Sequence, residues 1–297
     1  MRSFLTILLP IFLFSLISVP SPVIAWGEEG HKTVGQIAQN FLQPAIAGSV
    51  ANLFQDKSFD GQLSLAAVWA DEVKHQRGSP FFGWSSPLHF LDTQDNPGKS
   101  CSVNMQRDCP DARCVVGAIT NYTTQLDCTN GYDKFTRDIA LRFLAHFYGD
   151  ITQPLHVCGR EKGGNEVKVT FDGDSANLHA IWDTQMVEKR LQDFGSDFSQ
   201  YADFLTKEIQ SGKYASQKND WVSCISSPKA PTLCPLTWAI DTNAINCPFV
   251  WDTVDNNPDA DLGGSYYQDA VPIIDQQLSK GGYRLGVFLN SILSKNC

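Results

Sequence analysis

A chain of 297 residues is long enough for one large domain or two small ones, and no Pro/Ser-rich linker, low-complexity tract or internal repeat divides this one, so it reads as a single domain. Its 32 acidic side chains against 23 basic ones give a formal net charge of −9, which excludes a broad basic surface, the ordinary route to duplex nucleic acid. Any phosphate it holds needs positive charge supplied locally, as bound metal ions would do. Nine cysteines without a C-x-x-C pair argue for disulfides rather than a thiol metal site, and their odd number leaves at least one free or paired outside the chain.

Arg2 is followed by an uncharged apolar run, Phe4 to Val19, and then by Ser21-Pro22-Val23-Ile24-Ala25, small or apolar where a signal peptidase would cut. This predicts a secretory signal peptide over residues 1–25. The run is short of the ~20 residues that a membrane span needs, and Pro10 interrupts it. Residues 26–297 are then the mature, secreted domain, beginning at Trp26. Asn121-Tyr122-Thr123 is an N-glycosylation sequon that such a leader makes usable.

Along the mature chain, apolar residues recur mainly at helical spacing. Val34, Ile37, Ala38, Phe41 and Leu42 predict a first helix, which Pro44 follows. Leu65, Val68, Trp69 and Val73 predict a second. Phe135, Ile139, Phe143 and Phe147 mark a strong helix from about Asp133 to Gly149. Ile181, Trp182, Met186 and Leu191 predict another; Tyr201, Leu205 and Ile209 continue the pattern, and Leu285 to Leu293 close it. Only Glu166 to Asp172 alternates, between Gly163-Gly164-Asn165 and Gly173, as a hairpin strand would. The fold class is mainly α with a short β-hairpin.

Five of the six histidines have an acid or a second histidine at ligand spacing. His146 and Asp150 are four apart on the strongest helix, on the face that carries Ile139 and Phe143, and His156 follows just past Pro154. His179 and Asp183 repeat the four-residue spacing beside Trp182. His31 lies on the core side of the first helix, and Asp71 and His89 complete the set. One such pair is most simply a buried polar pair satisfied by hydrogen bonds. A core rarely holds this many ionisable groups without pairing or metal, and imidazole with carboxylate suits zinc. His75 has no such neighbour and reads as a surface residue.

Six motifs occur in order: Trp26-Gly27-x-x-Gly30-His31, Trp69-Ala70-Asp71-Glu72, Leu88-His89-Phe90-x-Asp92, His146-Phe147-x-Gly149-Asp150-x-Thr152-Gln153-Pro154-Leu155-His156, Gly163-Gly164-Asn165 and Asn177-Leu178-His179-x-x-Trp182-Asp183. Together they resemble the S1/P1 family of zinc-dependent single-strand nucleases, over nearly the whole mature chain. The resemblance implies one mostly helical domain with three zinc ions in a cleft. Asp71, His89, His146 and Asp150 would hold the first ion. Asp150 would bridge to a second, which also takes His31 and the free amine and carbonyl oxygen of Trp26. His156, His179 and Asp183 would hold the third. The implied activity is hydrolysis of single-stranded DNA and RNA to 5′-nucleotides, with room for a 3′-nucleotidase activity beside it.

The same resemblance gives Asp71 and Lys74 catalytic positions, Phe90 the aromatic surface on which a base stacks, Asp92 the carboxylate for its edge, and Asn165 a phosphate contact. Stacking tolerates any base but needs an unstacked strand, hence the preference for single strands. Asp174 and Gln185 stand where some members carry tyrosines, and Val157 to Lys162 departs from the fungal pattern at the cleft rim. The implied disulfides are Cys101–Cys247 and Cys109–Cys114. Cys224 and Cys234 form a third pair from closeness in sequence alone, and Cys128, Cys158 and Cys297 are unassigned. Two rivals follow from the same residues: a zinc-dependent phospholipase C, which Phe90, Asp92 and Asn165 disfavour, and a secreted zinc or nucleotide binder without catalysis. Neither a membrane nor an obligate protein partner is called for.

Overall fold

The computed structural model describes residues 26–75 and 82–295, apart from the side chain of His75. The signal peptide, the surface placement of His75 and Cys297 lie outside what is described. The chain is mostly helical with one small antiparallel hairpin. No helix among the described residues is long and apolar enough to cross a membrane.

Helix α1 (Glu28–Asn40) starts on Glu28 and Glu29, whose charges suit the positive end of its dipole, and buries His31, Val34, Ile37 and Ala38. Pro44 takes the first position of α2 (Pro44–Leu53), where its missing N–H costs nothing. The single helix predicted around Leu65 to Val73 is two pieces, Leu63–Ala66 and α3 (Trp69–His75). The physical reason is the carbonyl of Ala67. In a continuous helix it would accept from Asp71; here Asp71 donates to Val68 (3.2 Å), and Ala67 O faces His146 Nδ1 at 2.6 Å.

After α4 (Val115–Leu126) comes the central helix, α5 (Lys134–Asp150). The Asp133 carboxylate caps it by accepting from Thr136 N at 2.7 Å. From Ala140 to Asp150 every residue is buried, as in a helix surrounded on all sides by protein. Phe135, at the head of the apolar stripe, is exposed because the first turn projects beyond the core. Arg142 is kept in this interior by a two-pronged pair with Asp138 (2.9 and 2.5 Å) and by the rings of Phe59 and Trp69.

The alternating segment is β1 (Lys168–Phe171), paired with β2 (Asp174–Asn177). The loop between them is Asp172-Gly173, both at positive φ (52° and 85°), the two-residue turn that matches strand twist. Then follow α6 (Met186–Leu191), α7 (Phe198–Gln210), α8 (Ala230–Asn243) and the 29-residue α9 (Ser265–Leu293). Helix α9 lies along α1. A Cβ on Gly282 would sit 2.4 Å from Ile37 Cβ, so only glycine allows that approach.

Two apolar cores result. One gathers Trp69, Leu91, Tyr122, Phe143 and Phe147 around α5; the other gathers Trp26, Leu155, Trp182, Tyr266 and Leu278 around α1, α9 and the segment after β2. Disulfides join Cys101–Cys247 across 146 residues of chain, Cys109–Cys114 and Cys224–Cys234. Cys128 is also disulfide-bonded, and Cys158 is a buried free thiol.

Candidate active site

The candidate ligands project from the walls of both cores. Asp71, His89 and His146 adjoin Ala70, Leu88 and Phe147 of the first; His179 and Asp183 adjoin Leu178 and Trp182 of the second; His156 lies between Leu155 of one and Val157 of the other. The last turn of α5 presents His146 and Asp150 on one face. Their partners converge there. His89 Nδ1 is 3.0 Å from His146 Nε2, and both are close to Asp150 Oδ2, at 3.1 and 3.2 Å. Asp71 Oδ1 is 3.4 Å from His146 Nε2 and 3.6 Å from His89 Nδ1. His31 stacks on His146 with ring centroids 3.8 Å apart, and its Nε2 is 3.4 Å from Asp150 Oδ1. The stacking requires Gly149, since a Cβ there would lie 2.8 Å from His31 Nδ1.

A second cluster follows α5. Pro154 opens the turn Pro154–Val157, which carries His156. His179 and Asp183 approach it from the segment after β2, where a π-helical turn over Ile181–Gln185 interrupts the helix, a distortion frequent at functional sites. His179 Nε2 is 3.0 Å and His156 Nε2 3.8 Å from Asp183. Gln153, which the sequence reading did not single out, donates to Asp183 Oδ1 at 2.5 Å and takes the Leu155 N–H on its other end. One Asp183 oxygen is thereby engaged and Oδ2 is left toward His179.

The donor chemistry fits zinc. His146, His156 and His179 each place Nδ1 against a backbone carbonyl: Ala67 at 2.6 Å, His89 at 2.8 Å and Gly163 at 2.6 Å. A carbonyl only accepts, so Nδ1 carries a proton and Nε2 is aimed inward, where the neutral ring offers a lone pair, the usual arrangement behind a metal-binding imidazole. Nε2 of His156 and His179, both carboxylate oxygens of Asp71 and Asp150, and both ring nitrogens of His31 are buried and make no well-formed hydrogen bond; what they meet are the ion-pair contacts of the clusters themselves and of Lys74. Native interiors rarely leave such atoms unsatisfied. Three sets, His31/Asp71/His146, His89/His146/Asp150 and His156/His179/Asp183, bring ligand atoms within 4.8 Å of one another.

The electrostatics agree. Burial would raise the carboxyls of Asp71 and Asp150, but His146 beside them holds both well below the ordinary range. Burial would lower His146, yet Asp150 and Asp71 raise it to about 10. His89, desolvated and facing Lys74, falls to about 3. The cage is thus dry and anionic and borrows one proton, which a dication would displace.

The cage opens on a cavity of about 460 Å³ lined by Lys74, His89, Phe90, Asp92, Asn165 and His179, among others. Lys74 Nζ is 2.5 Å from Asp71 Oδ1. Phe90 is half-buried in the wall; Asp92 stands at the rim, where partial desolvation raises its carboxyl above the ordinary value. Asn165 Nδ2 donates to Lys162 O at 2.8 Å, closing a turn in which Glu161, Lys162, Gly163 and Gly164 all have positive φ. That turn sets the Gly163 carbonyl against His179. The free thiol of Cys158 also lines the cavity, unsuspected from sequence. Asp174 and Gln185 line a separate polar hollow beside Phe171 and Lys189.

Trp26 is fully buried, its indole Nε1 donating to Thr152 at 3.2 Å, and Gly27 N donates to Asp183 O at 2.6 Å. Trp26 and Gly27 are thus held against Thr152 and Asp183.

Comparison with known proteins gives the same picture from another side. The S1/P1 nuclease family model matches residues 26–294. Nuclease S1 of Aspergillus oryzae is 39% identical over 291 residues, covering 97% of this chain and 98% of that protein. Nuclease P1 of Penicillium citrinum is 38% identical over 269 residues, covering 90% and 97%. Endonuclease 2 of Arabidopsis thaliana is 35% identical over 297 residues, covering 96% of each.

Proposed function

The chain belongs to the S1/P1 nuclease family, and on that premise we propose that it is a secreted enzyme that binds three zinc ions and cuts single-stranded DNA and RNA to 5′-nucleotides, with 3′-nucleotidase activity at the same site. It is a nuclease, a hydrolase of phosphodiester bonds. The observation that carries the finer reading is the set of buried imidazole nitrogens and carboxylate oxygens without well-formed hydrogen bonds, whose His89, His156 and His179 line a cavity together with Phe90 and Asp92.

In this reading Asp71, His89, His146 and Asp150 would hold one ion, Asp150, His31 and the Trp26 amine and carbonyl would hold a second, and His156, His179 and Asp183 would hold a third. Bound zinc supplies Lewis acidity toward phosphoryl oxygens and a water acidified toward neutral pH. The chain's own groups do the rest. Lys74, beside Asp71, adds positive charge where the attacked phosphate develops negative charge. Phe90 receives an unstacked base, which a duplex does not offer. Asp92 accepts from the base edge. The Asn165 amide keeps a second N–H for a phosphate oxygen while its first holds the Lys162 carbonyl. Secretion is supported by the disulfides, which belong to an oxidising compartment.

The test is an assay of purified protein on single-stranded DNA, RNA, duplex DNA, a 3′-mononucleotide and phosphatidylcholine, each with and without chelator. Chelator-sensitive release of 5′-phosphorylated products from both single strands, slow on duplex, is expected. Hydrolysis of phosphatidylcholine without cleavage of single strands would overturn the reading.

A further inference from the structure

Away from the active site, α4 and α8 leave between them a shallow groove of about 630 Å³. Its lining is largely apolar and includes Met105, Val116, Gly117, Leu233 and Leu236. Leu233 is 40% exposed, one of few large apolar side chains so placed among the described residues. An open apolar groove usually has an occupant. One is indicated by the lining itself, because Asn121, the acceptor of the Asn121-Tyr122-Thr123 sequon, belongs to it.

Asn121 is exposed on α4, whereas Tyr122 and Thr123 are buried under it. A sugar joined to the Asn121 amide therefore starts inside the groove. The alternative course, straight into solvent, leaves Leu233 and Leu236 uncovered. Pyranose rings have a C–H face that packs on aliphatic side chains, and hydroxyls and acetamides at the edge that suit Thr120, Thr232 and Lys229 along the same groove.

We propose that the first N-acetylglucosamine of an Asn121-linked glycan lies in this groove and clamps α4 to α8. The sugar is thus a built-in part of the fold on the face supported by the Cys224–Cys234 disulfide, whose Cys234 lies in α8. The inference rests on the reading of Asn121 as a glycosylation site and is independent of the nuclease chemistry.

The experiment uses full-length protein secreted from a eukaryotic host. Peptide mass spectrometry first reads occupancy of Asn121. Two enzymatic digests of the folded protein follow, one leaving a single N-acetylglucosamine and one removing the whole glycan. The expected result is an occupied Asn121, a melting midpoint nearly unchanged by the first digest, and a fall of about 2–4 °C after the second. The same two digests on L233S should show no difference, because the apolar floor is gone. Cleavage of single-stranded DNA should be unchanged throughout, which keeps this test separate from that of the activity. An unmodified Asn121, or equal midpoints for glycosylated and fully deglycosylated wild-type protein, would overturn the proposal. Digestion after folding avoids reliance on N121Q, which could fail during secretion.

Discussion

The contact between His31 and His146 is possible only because residue 149 has no side chain. A methyl group there would meet His31 Nδ1 at 2.8 Å and Cε1 at 2.9 Å, distances that real Cβ contacts do not show. His31 would have to swing away from Asp150 while α5 stayed in place. Gly149→Ala should therefore keep the helical circular dichroism but lose one zinc per chain by elemental analysis, with single-strand cleavage falling about 100-fold or more as ligand geometry is lost. Three retained ions with wild-type activity would remove His31 from the ligand set. At this scale much was legible. His146/Asp150 and His179/Asp183 declare themselves because a four-residue spacing on a helix fixes a shared face. Gln153 does not, because its role appears only when chain distant in sequence brings Asp183 against it. Nor does the amide of Asn165 as a clasp on Lys162, a consequence of left-handed backbone that spacing cannot encode.

Among the elements, α1 and α5 followed from apolar periodicity, since each has a clear buried stripe or flanking signals. Helices α8 and most of α9 did not. Pro235 stands inside α8, and a proline there ordinarily stops a helix. In α9 the buried positions include Gln277, Ser279, Lys280, Gly281 and Gly282, so burial there is not written in apolar residues. Lys280 and Arg284 are accommodated by ion pairs to Asp241 at 2.7 and 2.8 Å. The break before α3 was hidden because its cause is a carbonyl recruited by His146, 79 residues away. The seam between α1 and α9 gives a direct test of close packing. Gly282→Ala puts a Cβ 2.4 Å from that of Ile37, and overpacking of this kind costs about 1–3 kcal/mol. Urea unfolding should show a lower midpoint with an unchanged slope. An unshifted midpoint would mean that the two helices separate freely.

For the whole molecule, the ligand clusters are the joint between two cores, so metal should matter to stability as much as to chemistry. Ions that bind the native chain and not the unfolded one add about 4 kcal/mol each at 1,000 times their dissociation constant. Chelation also leaves Asp71 and Asp150 buried with His146, Lys74 and the imidazoles of His31 and His89 alone to offset them. The chelated protein should melt at least about 10 °C lower than the zinc-loaded protein, and added zinc should restore the midpoint. Equal midpoints would show that the cage is rigid without ions.

On the proposed reading the same joint would link secretion to assembly. Trp26 is buried, its indole is tied to Thr152, and the next residue is tied to Asp183, so residue 26 has little freedom to shift. If cleavage after Ala25 creates the amine that helps His31 and Asp150 hold an ion, one further residue ahead of Trp26 turns that amine into an amide. An amide nitrogen donates poorly to zinc, and the extra residue must be accommodated ahead of a fully buried Trp26. A variant with one alanine inserted between Ala25 and Trp26 should be secreted and folded, because the indole and Gly27 anchors do not involve the amine. It should lose most activity, and in a graded chelator titration the ion at His31 and Asp150 should leave first. Full activity with three equally retained zinc ions would show that the amine is not a ligand, and would return the pair of ions around Asp150 to side chains alone.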